Sequence, residues 1–263
     1  MALNLLNDID EFKEWVPHLK TVFTFDVNIR GTFGNDNLNG VAKDPMLAKW
    51  ITEFFTKKND LVLDTFAGVG GILLGVSMAG RRGFGIELYQ QNRDAYVALC
   101  SRLEQTEFPV DVGDAIEKTK LLENSIFDAI ITDPPYGIGH KINRVLEGRG
   151  HSTFNMLGKE IPDIGSLPTM EDFYFYLHEL AREWWRVIKS GRYLIVFLGD
   201  RYIKGRYVSV AHEAVPYIES AGFVLKGIKI WWQKNPARQV HAAYSKTYIP
   251  VIDHWNILVF KGE

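Results

Sequence analysis

The sequence predicts an α/β protein built on a doubly wound, mainly parallel sheet. Three observations support this prediction. Strand-like and helix-like hydrophobic patterns alternate between residues 60 and 222, as they do when helices cover both faces of a parallel sheet. A glycine-rich turn directly follows the first of these strands. Acidic residues end or follow four successive strands, at intervals of 23, 27 and 19 residues, so they should share one edge of the sheet.

The elements are predicted in chain order from their patterns and turn signals. The first half carries a strand from residue 60 into the glycine-rich turn, a helix over 72–80, a strand over 83–88, a helix over 91–104, a strand and turn over 108–115, and a strand within 126–136. The second half carries a long amphipathic helix over 171–189, a strand over 191–200 and a helix within 208–222. The last two segments, 222–234 and 255–262, are expected to form a C-terminal antiparallel strand pair.

Composition bounds the class of protein. The chain has 263 residues, of which 46% are hydrophobic and 24% charged, which is ordinary for a globular protein with an ample core. A net charge of −2 does not exclude a nucleic-acid partner, because local charge decides binding. The single cysteine, Cys100, rules out an internal disulfide framework and a cysteine-ligated zinc site. It lies in a helical pattern, so we assign it to packing.

The domain prediction is one large domain over 41–263, with residues 1–40 as an extension packed on or near it. Residues 137–170 are rich in glycine and polar side chains, and we expect them to form an inserted loop. The N-terminus has no signal-peptide pattern, and no apolar run approaches the roughly 18 residues that a bilayer requires. We therefore expect a cytoplasmic location and no membrane partner.

The glycine-rich turn predicts a ligand site. Asp64 ends the strand, and Thr65 and Phe66 lead into Gly68 and Gly70. Glycines let the backbone approach a ligand closely, and the following helix N-terminus favours a negative group. An acid just before the glycines would repel a pyrophosphate but suits a ligand with a cationic group, such as S-adenosylmethionine.

Two further acids extend this predicted site. Glu87 closes the next strand, where an acid can bind ribose hydroxyls. The nicotinamide dinucleotide fingerprint would also fit that spacing, but it requires a glycine where Leu73 stands. Asp114 could accept a hydrogen bond from an adenine amine, or it could equally cap the helix that follows.

The tetrapeptide Asp133-Pro134-Pro135-Tyr136 ends the fourth strand. Prolines stop a strand because they lack an N–H group, so an acid and an aromatic ring should be presented at its carboxyl end. Ligands of open α/β sheets bind at that end. A proline turn with a polar cap is the plain structural alternative.

At these motifs the chain resembles the amino-group DNA methyltransferases, which act on N6 of adenine or N4 of cytosine. "LDTFAGVGG" is similar to their cofactor loop and "TDPPYG" to their catalytic motif. The segment around Lys43, Asp44 and Pro45 is similar to one that closes over the methionine end of the cofactor. The resemblance covers roughly residues 41–263. It implies a Rossmann-like methyltransferase fold that binds S-adenosyl-L-methionine, with Asp133 also at the cofactor.

The tetrapeptide suits this chemistry. The Asp133 carboxylate and the Pro134 carbonyl can accept the two N–H bonds of an exocyclic amine, which aims the nitrogen lone pair at the methyl group. The same carboxylate stabilises positive charge that develops on nitrogen, so neither a covalent nucleophile nor a metal is needed. Tyr136 would stack on a base flipped out of the duplex. An aspartate at the start of the motif favours adenine N6.

Duplex DNA is the predicted partner. The residues expected to contact it are basic side chains of three segments. The inserted loop over 137–170, expected at the DNA-binding face, supplies Lys141, Arg144 and Arg149. The other two segments supply Arg201, Lys204 and Arg206, and Lys234 and Arg238. A homodimer or a separate specificity partner is also possible. The alternatives are a cytosine-N4 enzyme, an RNA guanine-N2 or protein-glutamine methyltransferase, or a non-catalytic cofactor-binding subunit of a DNA-reading complex.

Overall fold

A computed structural model of the chain describes residues 7–9, 11–25, 43–136, 163–232 and 252–263. The helices are α1 (Phe12–Leu19), α2 (Pro45–Phe55), α3 (Gly71–Met78), α4 (Gln90–Arg102), α5 (Ala115–Lys120), α6 (Met170–Val187) and α7 (Val210–Glu219). The strands are β1 (Val22–Thr24), β2 (Leu61–Asp64), β3 (Arg82–Glu87), β4 (Val110–Val112), β5 (Phe127–Thr132), β6 (Ile188–Leu198), β7 (Arg201–Ile203), β8 (Arg206–Val208), β9 (Phe223–Trp232) and β10 (His254–Gly262).

Eight strands form the central sheet in the order β1-β9-β10-β6-β5-β2-β3-β4. The pairs from β6 through β5, β2 and β3 to β4 are parallel. Strand β10 runs antiparallel to both β6 and β9. The predicted mainly parallel sheet and its C-terminal antiparallel pair are therefore confirmed.

Two hydrophobic clusters lie on opposite faces of the sheet. Helices α2, α3 and α4 contribute to one cluster, where Leu47, Leu73 and Tyr96 are buried. Helices α5, α6 and α7 contribute to the other, where Trp184 is buried completely. Cys100 is buried in the first cluster, which confirms its assignment to packing. Within the described residues, none of the helices is long and apolar enough to cross a bilayer.

Two strand features were not predicted. Strand β1 adds to the edge of the sheet, parallel to β9. The basic stretch after β6 folds into the antiparallel hairpin β7–β8, whose turn residues Lys204 and Gly205 have φ of 49° and 80°. A two-residue turn with both φ values positive matches the right-handed twist of a hairpin. This stretch lacks a long alternating hydrophobic pattern, so the sequence predicted a basic surface segment and no strand.

The described part of the N-terminal extension packs against α2. His18 stacks on Trp50, with ring centres 4.3 Å apart, and on Phe54, at 4.7 Å. Lys229 of β9 donates from Nζ to the backbone oxygens of His18 and Lys20, the second at 2.7 Å. Because these carbonyls end α1, the lysine caps that helix and ties it to the sheet.

Candidate active site

The site lies where the strand order reverses. Strands β3 and β4 extend the sheet on one side of β2, whereas β5 and β6 extend it on the other. Asp64 ends β2 and Asp133 follows β5, so both acids stand at the carboxyl edge beside this switch point. Ligands of open α/β sheets bind at such a crevice. The topology therefore brings the glycine-rich turn and the tetrapeptide together.

Asp64 is fully buried. Its Oδ1 accepts from the Thr132 hydroxyl at 2.8 Å and from the Phe66 amide at 3.1 Å. Its Oδ2 is buried without a hydrogen-bond partner in the described part of the chain. Burial, with a smaller contribution from the nearby Asp133 and Glu87 carboxylates, raises the pKa of Asp64 to about 7. A buried carboxylate oxygen without a donor suits a cationic or N–H-bearing ligand.

Thr65 helps to hold this acid in place. Its hydroxyl accepts from the indole N–H of Trp184 at 3.2 Å and lies 3.3 Å from the Thr132 hydroxyl. Thr65 thus joins β2 to β5 and to helix α6. Its described bonds are all to the protein.

Glycine is required in this loop for different physical reasons at different positions. Gly68 and Gly70 have φ of 54° and 87°, a conformation that favours glycine. A Cβ on Gly70 would overlap the ring of Tyr96, and one on Gly71 would overlap the backbone oxygen of Lys43. Gly70 and Gly71 therefore permit close protein packing. Among the described residues, a Cβ on Gly68 would meet nothing nearer than 4.0 Å, so this glycine borders open space there.

Glu87 holds the loop from the neighbouring strand. Its carboxylate accepts from the Gly68 amide at 2.8 Å, the Tyr89 amide at 2.9 Å and the Asn92 side chain at 2.9 Å. Burial raises the pKa of Glu87, and these three donors oppose that shift. A carboxylate has about four acceptor positions, so Glu87 fixes the turn and retains capacity for a further donor.

Asp114 is a helix cap. One carboxylate oxygen accepts from the amides of Ile116 and Glu117, both at 3.0 Å, which caps α5. The other accepts from the Tyr176 hydroxyl at 2.6 Å. Capping was one of the two roles that the sequence left open, and these contacts support it.

Asp133 of the tetrapeptide forms an ion pair with Lys43. Nζ of Lys43 lies 2.8 Å from Oδ2 of Asp133. Burial raises the pKa of Asp133 and lowers that of Lys43, and the attraction between the two charges opposes both shifts. Pro134 is buried and Pro135 is exposed. The sequence placed Lys43 at the cofactor, and that role stays a prediction.

The segment after Lys43 begins a helix. Asp44 accepts from the Met46 amide at 2.7 Å and the Leu47 amide at 3.4 Å, and Pro45 occupies the first turn of α2. An aspartate cap followed by proline is a strong helix start. These contacts explain the sequence of the segment locally, and its contact with a cofactor stays a prediction.

Two aromatic rings stand beside Asp133. The Tyr136 ring meets Trp255 of β10 edge to face, with ring centres 5.9 Å apart. The Lys43 ammonium lies 3.3 Å from the centre of the Trp255 ring. The sequence did not single out Trp255, because a tryptophan opening a C-terminal strand is ordinary core. Only the pairing of β10 with β6 brings it to this edge.

Asp163 also borders the site, although the sequence assigned it to the inserted loop. It accepts from the Tyr89 hydroxyl at 2.9 Å, and Gly165 lies next to Pro135. Residues 163–169 therefore pass beside Pro135 and lead into α6. No sequence signal marked this contact, because it joins residues far apart in the chain.

Of the basic residues predicted to contact DNA, those that the structure describes lie in the β7–β8 hairpin. Arg201 is half-buried and donates to the Tyr136 backbone oxygen, so it contacts the tetrapeptide directly. Lys204 and Arg206 are exposed on the same hairpin. Lys141, Arg144, Arg149, Lys234 and Arg238 lie outside the described residues. The DNA role of all of these side chains stays a prediction.

Comparisons with known proteins show which families and folds this chain is similar to. Residues 127–256, which include the tetrapeptide and Trp255, match the model of the N6/N4 DNA methylase family. This part of the chain is similar to the amino-methyltransferase family. The fold is that of S-adenosylmethionine-dependent methyltransferases.

The names of the relatives to which this chain is similar indicate different substrates. The Type II methyltransferase M.HindIII of Haemophilus influenzae is 29% identical over 48% of this chain and 42% of its own. The tRNA (guanine(10)-N2)-dimethyltransferase of Pyrococcus abyssi is 29% identical over 37% of this chain and 29% of its own. The chain thus spans less than half the length of either relative.

A solved structure supports the fold alone. TrmN from Thermus thermophilus superposes with a TM-score of 0.51 and 13% identity, over 83% of this chain and 49% of that one. At this identity, the likeness concerns the arrangement of strands and helices and not the substrate.

Proposed function

We propose that this protein transfers a methyl group from S-adenosyl-L-methionine to an exocyclic amine of a nucleic-acid base. The observation that carries the proposal is the placement of Asp133. Its carboxylate follows β5 at the switch point, is 19% exposed, and lies beside Tyr136 and Trp255. An acid that is shielded but still reachable, next to aromatic faces, suits a planar base with an N–H donor.

The cofactor would bind along the ends of β2 and β3. When bound, it supplies an electrophilic methyl group on a sulfonium centre. Asp64 offers its unpartnered Oδ2 to a cationic or N–H group, and the open side of Gly68 admits the ligand to the turn. Glu87 holds that turn and has remaining acceptor capacity for ribose hydroxyls. The residues present therefore fit this cofactor.

Asp133 prepares the amine for attack. The lone pair of an exocyclic amine is delocalised into the base, which makes the nitrogen a poor nucleophile. Accepting one N–H at the carboxylate and the other at the Pro134 carbonyl turns the lone pair out of the ring plane and toward the methyl group. The carboxylate also stabilises the positive charge that forms on nitrogen. Asp133 is therefore the residue on which the proposed rate depends.

The aromatic side chains would hold the base. Tyr136 presents a ring next to Asp133, and stacking of a base on an aromatic ring contributes about 1–3 kcal/mol. A base within a duplex cannot reach this edge, so a DNA substrate would have to be flipped out. The basic hairpin β7–β8 and the predicted residues beyond the described ranges would contact phosphate.

Adenine N6 in DNA is our first candidate, since the family model describes DNA methylases and the motif begins with aspartate. Guanine N2 in tRNA is the second, because several relatives carry that activity in their names. Both are exocyclic amines with two N–H bonds, so the same carboxylate could serve either.

One experiment separates these candidates. Purified protein is incubated with tritiated S-adenosyl-L-methionine and, in parallel, with duplex DNA, tRNA or protein, and the labelled nucleosides are identified. We expect label in DNA as N6-methyladenine. Label in tRNA as N2-methylguanine would transfer the proposal to the second candidate. Absence of label in every substrate, from a folded protein that binds the cofactor, would contradict amine methylation.

A further inference from the structure

Lys43 is an unusual neighbour for the acid of the tetrapeptide. Its side chain is only 8% exposed, and its ammonium lies 2.8 Å from Oδ2 of Asp133. Removing an ammonium group from water costs several kcal/mol, so a lysine in this position needs a counter-charge. Asp133 supplies it. The same carboxylate is the acceptor on which the proposed function depends.

Three parts of the fold place this ammonium. Gly71 leaves room for the Lys43 backbone at the start of α3, and Asp44 caps α2 immediately after it. Nζ lies over Trp255 of β10, 3.3 Å from the ring centre, and 5.5 Å from that of Phe197 on β6. A cation over an aromatic face is favourable, more so where water is excluded. The lysine is therefore held at Asp133 by its surroundings.

We propose that Lys43 is a positioning residue that keeps the Asp133 carboxylate ionised and oriented toward the amine. The inference rests on the proposed function, because it assigns Lys43 a part in that reaction. A protonated Asp133 would lose charge, and its protonated oxygen would become a donor that faces another donor. The ion pair uses Oδ2, which leaves Oδ1 with acceptor capacity for the amine.

The charged groups around Asp133 favour this role. Burial raises the pKa of Asp133, and Lys43 is the group that lowers it. Asp64, at the end of β2, interacts with Asp133 as a like charge and so opposes its ionisation. Tyr136, from the same tetrapeptide, is neutral at ordinary pH because burial raises its pKa. Lys43 therefore offsets both the burial and the neighbouring acid.

Lys43→Met tests this role because it keeps the length of the side chain and removes the charge. Carbon-13 NMR of aspartate carboxyl groups follows the titration directly, with the Asp133 signal assigned by Asp133→Asn. A close opposite charge changes the ratio of ionised to protonated carboxyl, at a given pH, by about tenfold or more. We expect Asp133 in Lys43→Met to remain protonated to higher pH. The acidic limb of the methyl-transfer rate should move in the same direction.

Lys49→Met is the matched control. Lys49 lies on α2, the helix that follows Lys43, but it pairs with Glu53, 3.7 Å away, so its loss should leave the Asp133 titration unchanged. If Lys43→Met does not fold, Lys43→Gln removes the same charge while keeping a hydrogen-bond donor. The titration should shift in the same direction in both neutral variants, and by less in Lys43→Gln, because a retained donor still favours the ionised carboxylate.

The outcomes separate the two proposals. Absence of methyl transfer by the wild-type protein would contradict the proposed function, whereas the NMR titration would still report on Lys43. An Asp133 titration that is identical with and without the lysine charge would overturn the inference. So would an activity loss in Lys43→Met that is equal at every pH, because that result describes a purely structural lysine.

Discussion

Asp64 combines full burial with a carboxylate oxygen that has no partner among the described residues. Its pKa is raised from 3.8 to about 7 because burial disfavours the charged form. A raised native pKa means that the folded protein binds the proton more tightly than the unfolded chain does. The contribution to stability is therefore complete below about pH 4 and is lost as the pH rises through about 7.

Asp64→Asn should remove this dependence from the cofactor-free protein. We expect the stability of wild type relative to Asp64→Asn to fall between about pH 4 and 7. Urea unfolding of both proteins across that range measures the difference. Equal pH profiles would show that Asp64 does not titrate in this window. A cationic ligand should favour ionised Asp64, so wild type should also release a proton on binding S-adenosyl-L-methionine near pH 6.

The glycine-rich turn shows how one element serves both packing and the site. Gly70 and Gly80 both have positive φ, at 87° and 69°, but their surroundings differ. A Cβ on Gly70 would overlap Tyr96, whereas one on Gly80 would meet no described residue within 4 Å. The two positions therefore separate backbone strain from loss of space.

Gly80→Ala should cost about 1–2 kcal/mol of unfolding free energy, because a left-handed alanine is strained. Gly70→Ala should cost about 1–3 kcal/mol more, since the methyl group must also displace a buried ring. Denaturant unfolding compares the two. We also expect only Gly70→Ala to weaken cofactor binding, because it moves the turn held by Glu87. Equal effects on stability would contradict the packing role of Gly70.

Sequence patterns predicted most elements because their signals are local. Short apolar runs identified β2, β3, β5 and β6, and an apolar stripe identified α6. The acids at the strand ends indicated the shared edge, because parallel strands present their carboxyl ends together. Contacts between distant segments had no such signal. The Lys43–Asp133 pair and the position of Trp255 depend on strand order and on the packing of α2.

The whole molecule joins two half-sites through its sheet order. The turn after β2 and the tetrapeptide after β5 are far apart in the chain, yet they meet at the switch point. Thr132 and Asp64, which are 68 residues apart, form a hydrogen bond there. Strand β10, which pairs antiparallel with β6, then places the Trp255 ring against Tyr136. This arrangement predicts that cofactor binding and methyl transfer can be separated by mutation, because different strands supply them.

The most direct measurement is therefore methyl transfer by Asp133→Asn, with cofactor affinity determined by calorimetry on the same preparation. Asp64, Glu87 and the glycine-rich turn remain intact in this variant, so we expect it to fold and to bind S-adenosyl-L-methionine with nearly wild-type affinity. Its rate should fall by at least about a hundredfold, because the negative charge that stabilises the reacting nitrogen is lost. A folded Asp133→Asn protein that transfers methyl groups at a near wild-type rate would contradict the account.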